Sequence, residues 1–144
     1  MGGSGGGGSF SSRDMSKIQS AAEERLKAIA SKSTKVLFVC DQSDKKSLEA
    51  LLAKSSVFTK DRAITVDSSQ ASKADDLLEG ASFFVCFTEA TKDSSFIDAM
   101  IDKAMVKKIG GVHVKANSKS MIPPKISAYR MRSITWRELE TIFQ

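Results

Sequence analysis

From Thr34 onward the spacing of apolar residues switches between two periods, and each switch marks the border of an element. Lys35–Cys40 (KVLFVC) and Ser82–Thr88 (SFFVCFT) are strand-length runs, β-branched and aromatic with no polar interior, as expected of parallel strands covered on both faces. Ala63 to Val66 predicts a shorter strand ending at Asp67, and a short strand is expected around Ser133 to Trp136. Val112 to Lys115 alternates, with Val112 and Val114 pointing one way and His113 and Lys115 the other, so His113 is expected to face solvent.

Between these strands the period becomes helical. Ser43 offers an N-cap with Asp44 in the first turn, ahead of Leu48, Leu51 and Leu52. Ser72 and Asp75 stand in capping-box spacing before Ala74, Leu77 and Leu78, with Gly80 as the stop. Ser95 and Asp98 repeat that spacing before Phe96, Met100, Ile101, Ala104 and Met105, and Gly110-Gly111 close the helix. A polar loop and Pro123-Pro124 follow, and the final helix carries Leu139, Ile142 and Phe143. This alternation predicts an α/β fold: a flavodoxin-like five-stranded parallel sheet with helices on both faces.

Two segments precede the domain, which is expected over residues 33–144. Residues 1–13 open on a Gly/Ser run that resembles an engineered linker, and fusion to such a linker implies that the region was cut from a longer protein. Residues 14–32 place Ile18, Ala21, Ala22, Leu26 and Ile29 on one stripe, an N-terminal amphipathic helix that packs on its own domain or serves as a connector.

Composition narrows the function classes. With 144 residues, 41% of them apolar, the chain holds one domain with a core of its own and has no need of a metal. Two cysteines inside apolar runs and one histidine cannot build a structural zinc site, and they suit a reducing compartment. No apolar stretch approaches the about 20 residues of a membrane span and no signal-peptide core is present, so a cytoplasmic location is expected.

In sheets of this kind ligands bind beyond the carboxyl ends of the strands, at the switch between strands one and three. Asp41-Gln42-Ser43-Asp44, Asp67 and Thr88-Glu89-Ala90-Thr91 converge there. Such carboxylates can hold Mg²⁺ or act as general acid and base, or they can simply cap helices. VLFVC followed by DQSDKKS resembles the opening of low-molecular-weight tyrosine phosphatases, but Lys46 stands where their arginine would be. Asp41 and Asp44 would also repel phosphate, which leaves Cys40 as a core residue. Trp136 and Tyr129 are expected to pack under the last helix. Between Ile101 and Arg132 a basic set that includes Lys103, Lys107, Lys108, Lys115, Arg130 and Arg132 faces the single acid Asp102, which suits an acidic partner. The absence of interleaved aromatics weighs against nucleic acid.

The order of these parts resembles a Toll/interleukin-1 receptor (TIR) domain over about Lys35 to Phe143. The first strand with Asp41-Gln42-Ser43-Asp44 is similar to the family's strand and polar turn, and Asp67 to the acid that opens its BB loop. SFFVCFTEAT with Ser94-Ser95-Phe96 resembles the third strand and the serine-aromatic start of the next helix, and Ile122-Pro123-Pro124 before Ile134-Thr135-Trp136 resembles a common ending. NAD-cleaving members carry a catalytic Glu four residues after that aromatic, where this chain has Met100, and the Asp67–Ser82 stretch is short for a BB loop. The resemblance therefore implies an assembly-type module without a cofactor, which associates with itself or with a related domain. The rival expectation is a divergent NAD glycohydrolase that uses Asp67, Glu89 or Asp98.

Overall fold

The computed structural model describes residues 35–91 and 94–144, together with Glu24, Lys27 and Ala28, which are helical. The rest of the 14–32 helix and all of the 1–13 linker lie outside the described residues. Five strands, β1 (Val36–Cys40), β2 (Ala63–Asp67), β3 (Phe83–Thr88), β4 (Gly110–Lys115) and β5 (Ser133–Thr135), form one sheet in the order β2-β1-β3-β4-β5. Every neighbouring pair is parallel, the flavodoxin-like arrangement that the alternation predicts. The helices are α1 (Lys45–Lys54), α2 (Ala71–Glu79), α3 (Ser95–Val106), α4 (Pro124–Ala128) and α5 (Trp136–Phe143). None of the described helices is long and apolar enough to cross a membrane.

Each strand's alternation sends side chains into two different layers. On one face Phe38, Phe83, Val85 and Phe87 pack with Val112, Val114, Leu139 and Phe143. This layer is aromatic: Phe58 lies 5.1 Å from Phe38 and 5.2 Å from Phe143, and Trp136 lies 5.8 Å from Phe38 and 5.7 Å from Phe58. Arg62, just before β2, sits 4.9 Å from the Phe143 ring centroid and donates to the Phe143 carbonyl at 3.3 Å, which ties the last helix to the opposite edge of the sheet. The other face is mainly aliphatic and sulfur-bearing, with Leu37, Val39, Cys86, Ile97, Met100 and Ile101. Cys40 and Cys86 fall in different layers, and both thiols are free.

The helix borders differ from those expected. The cap of α3 is Ser94, whose hydroxyl accepts from Ile97 N at 3.3 Å, and not Ser95. Ahead of α2 the capping box is Asp67 with Gln70, on a short 3-10 turn (Ser68–Gln70), and not Ser72 with Asp75. Gly110 and Gly111 do not stop α3; they open β4, and a Cβ on Gly111 would stand 2.3 Å from the Phe84 ring and 2.7 Å from its carbonyl oxygen. The stop is Lys108, in the left-handed region with φ 58°. Lys108 N donates to the Met105 carbonyl at 3.1 Å and Ile109 N to the Ala104 carbonyl at 3.0 Å, the paired bonds of a Schellman motif. Arg130 (φ 57°) ends α4 in the same way, through Arg130 N to Ser127 O at 3.0 Å and Met131 N to Ile126 O at 2.9 Å. α4 itself begins with proline in its first turn, where a missing N–H costs nothing, so the proline pair that reads as loop starts a helix.

A Cβ in the left-handed region costs about 1 kcal/mol, and glycine avoids it. Lys108→Gly is therefore expected to stabilise the domain by up to about 1 kcal/mol, read as a higher urea midpoint at unchanged slope.

Candidate functional site

The acids at the carboxyl ends of β1, β2 and β3 are bound into a polar network that closes the loops over the sheet. β1 runs into Asp41, whose carboxylate accepts from Ser43 N at 3.1 Å and Ser43 Oγ at 2.8 Å and so caps the 3-10 turn Gln42–Asp44. Burial alone would raise the Asp41 carboxyl; the Ser43 N–H and hydroxyl, with the Ser94 and Ser68 hydroxyls, outweigh it and hold the pKa below the ordinary range.

Asp44 does something the sequence pattern did not suggest. Its side chain does not cap α1; it is fully buried and reaches across to the loop after β3. Glu89 N donates to it at 2.9 Å, Ala90 N at 3.0 Å and Thr91 N at 3.4 Å, and the Thr91 hydroxyl donates as well. Three consecutive backbone N–H groups thus share one carboxylate, the pairing that makes a buried charge tolerable.

Of the acids considered for catalysis, Glu89 accepts from the Ser47 hydroxyl of α1. Asp67, at the end of β2, accepts from Ser69 N at 2.7 Å and from the Ser69 hydroxyl, and Lys45 Nζ stands 3.4 Å from its Oδ2. Burial alone would raise Asp67, but these donors and the Lys45 ammonium hold its pKa below the ordinary value. Asp98 lies in the first turn of α3, half-buried, where a negative charge suits the helix dipole. Met100, at the position of the family's glutamate, is buried in the aliphatic layer beside Ile97 and Ile101 and does not reach the loop network. Among the described residues no group of three or more His, Cys, Asp or Glu side chains is arranged to hold a metal.

Cys40 is buried at the end of β1, and its thiol is pushed up to about 12, first by burial and then by Asp67, Asp44 and Asp41. A thiol in that state is protonated at neutral pH and cannot serve as a phosphatase nucleophile.

His113 is buried, not solvent-facing. Its strand alternates as expected, but the second face is covered too. Nε2 lies 2.8 Å from Thr88 Oγ1 and Nδ1 lies 2.7 Å from Ser133 Oγ. The Thr88 hydroxyl spends its one proton on the Met121 carbonyl at 2.7 Å, so it must accept from Nε2–H, and Nδ1 then accepts from the Ser133 hydroxyl. The ring is fully buried, which favours the neutral form in which Nδ1 accepts. Burial first and Lys115 second push its pKa down to about 4. The Thr88, His113 and Ser133 side chains therefore join β3, β4 and β5 across one face of the sheet.

The basic set is less free than its sequence suggests. Lys103 bonds Asp75 at 2.7 Å, Lys107 lies 3.8 Å from Glu79, and Lys125 lies 3.2 Å from Asp102. Lys108 and Arg130 serve as helix stops, Arg132 is half-buried, and Lys115 ends β4. Tyr129 is exposed and donates to Asp102 at 2.6 Å, whereas Trp136 packs in the aromatic layer as expected. No family model matches the chain, and no curated protein matches it.

Two outcomes follow from the buried polar groups. Asp44→Ala strands the three loop N–H groups and is expected to cost about 3 kcal/mol, with Asp44→Asn, which keeps one acceptor, falling between it and the parent on urea denaturation. For His113 the folded pKa lies below the unfolded value near 6.5, so its contribution is present above pH 6.5 and is lost as pH falls toward 4. The loss is expected to approach about 3 kcal/mol relative to His113→Gln over the same pH series, which cancels the carboxylates common to both proteins.

Proposed function

We propose that this domain is a protein-interaction module of TIR-like type, which assembles with copies of itself or with a related domain in a signalling complex. The observation that carries this reading is the placement of the exposed large apolar side chains. Among the described residues these are Val106 at the end of α3, Ile122 just ahead of α4, and Tyr129 just after it. They fall on neighbouring segments, since Tyr129 and Lys125 both engage Asp102 of α3. Val106 is 81% exposed, so covering it in an interface would remove apolar surface from water.

The polar network at the sheet edge supports the same reading from the other side. Glu89 accepts from Ser47 of α1 and Asp67 closes the turn after β2, so loop closure accounts for the placement of both acids without a catalytic role. The ion pairs of Lys103, Lys107 and Lys125 lie at the surface and are worth little each, so they leave recognition to the apolar side chains around them.

Light scattering over a concentration series is expected to show mass that grows with concentration, and Val106→Glu is expected to shift that growth about tenfold higher in concentration. A mass that stays monomeric up to about 1 mM would remove the self-association reading. Incubation with NAD is expected to release no nicotinamide; release that is abolished by Asp67→Asn, Glu89→Gln or Asp98→Asn would establish the enzyme reading instead.

A further inference from the structure

Beyond the carboxyl ends of β4 and β5 lies a cavity of about 360 Å³, away from the β1/β3 switch and from the apolar residues of α3 and α4. Lys115 closes β4, Thr135 closes β5, and Trp136 and Arg137 open α5, so the sheet register itself brings these four side chains to one rim. Asn117 and Ser118 of the following loop complete it.

The lining combines two cations, Lys115 and Arg137, with the apolar surface of Ala116 and Trp136. No acid lines this cavity, and among the described residues neither Lys115 nor Arg137 is paired with a carboxylate. Arg137 also lines an adjoining cavity of about 300 Å³, where Lys27 and Arg132 stand. The one acid there, Glu138, is committed to the helix cap: it accepts from Thr135 N and Thr135 Oγ1, each at 3.1 Å. The capping box at the start of α5 takes Thr135 N and Glu138 N, and side-chain donors line the cavity beside it. Asn117 adds to them, because its Oδ1 is spent on Lys119 N at 2.9 Å and its amide N–H groups remain to donate. Ala116 and the half-buried Trp136 supply the apolar wall.

We infer that this cavity is a binding site for a small phosphate ester, with the phosphate held between Lys115 and Arg137 and an apolar or planar body against Trp136 and Ala116. Two cations match the charge of a phosphate dianion, and the planar fork of arginine fits two of its oxygens. A carboxylate would neutralise only one of them. The volume lies in the range of small-molecule sites, and the position beyond strand ends is where parallel sheets receive ligands. The assignment does not depend on self-association of the domain.

Phenyl phosphate, benzoate and inorganic phosphate, titrated separately and followed by the NMR signal of the Trp136 indole N–H, test it. Phenyl phosphate is expected to give a saturable shift and to bind about tenfold tighter than either of the others, since only it offers both the dianion and the ring. Lys115→Gln and Arg137→Gln are each expected to weaken it about tenfold, with Lys103→Gln, on α3 and outside the cavity lining, leaving it unchanged. Both variants sit at the surface, and an unchanged urea midpoint certifies their fold. Absence of saturation up to about 10 mM, equal affinity for benzoate, or full binding by the Lys115→Gln, Arg137→Gln double variant would each overturn the assignment.

Discussion

The loop after β3 turns three successive N–H groups inward, and the fold depends on the Asp44 carboxylate that receives them. Water cannot reach that position, so without the carboxylate the loop would have to open or leave its donors unmet. Because Asp44 follows β1 and the loop follows β3, one side chain locks together the two strands at the centre of the sheet. Asp41 and Asp67 repeat the device on a smaller scale, each drawing a serine N–H and hydroxyl into a tight turn. A parallel sheet leaves every strand end facing the same edge, and this chain fills that edge with acids that bind backbone.

The same logic runs through the second buried polar group. His113 sits among apolar residues yet has a partner for each ring nitrogen, on the strands to either side. The segment that returns from β4 to α4 places the Met121 carbonyl where it takes the Thr88 proton, and that one bond fixes the direction of the others. Three strands that already share backbone hydrogen bonds are thereby held in register by side chains as well.

The strands and their order were legible because KVLFVC and SFFVCFT have no polar interior, and only a sheet covered on both faces accommodates such runs. The caps were legible only to within a residue or more: serines cluster at strand ends, and which one accepts depends on where the neighbouring loop delivers its N–H groups. The end of α3 departs from the sequence pattern for a different reason. Glycine is the usual left-handed residue, yet Lys108 adopts that conformation, and Gly111 is needed for the close approach of Phe84. The burial of His113 could not be read locally, because its ring partners, Thr88 and Ser133, lie on other strands some twenty or more residues away. Asp44 likewise looked like an ordinary first-turn acid; its role needs the position of a loop some forty-five residues further on.

The division of the core into an aromatic and an aliphatic layer gives the single tryptophan a one-sided view of the molecule. The Trp136 ring touches the group of Phe38, Phe58 and Phe87, all on one side of the sheet, and has no counterpart on the other. Its emission therefore reports the integrity of the layer under the last helix. Loosening of α2 and α3 over Leu37, Val39 and Cys86 would pass unseen by fluorescence and emerge only in a probe distributed over the whole backbone, such as amide exchange or far-ultraviolet dichroism.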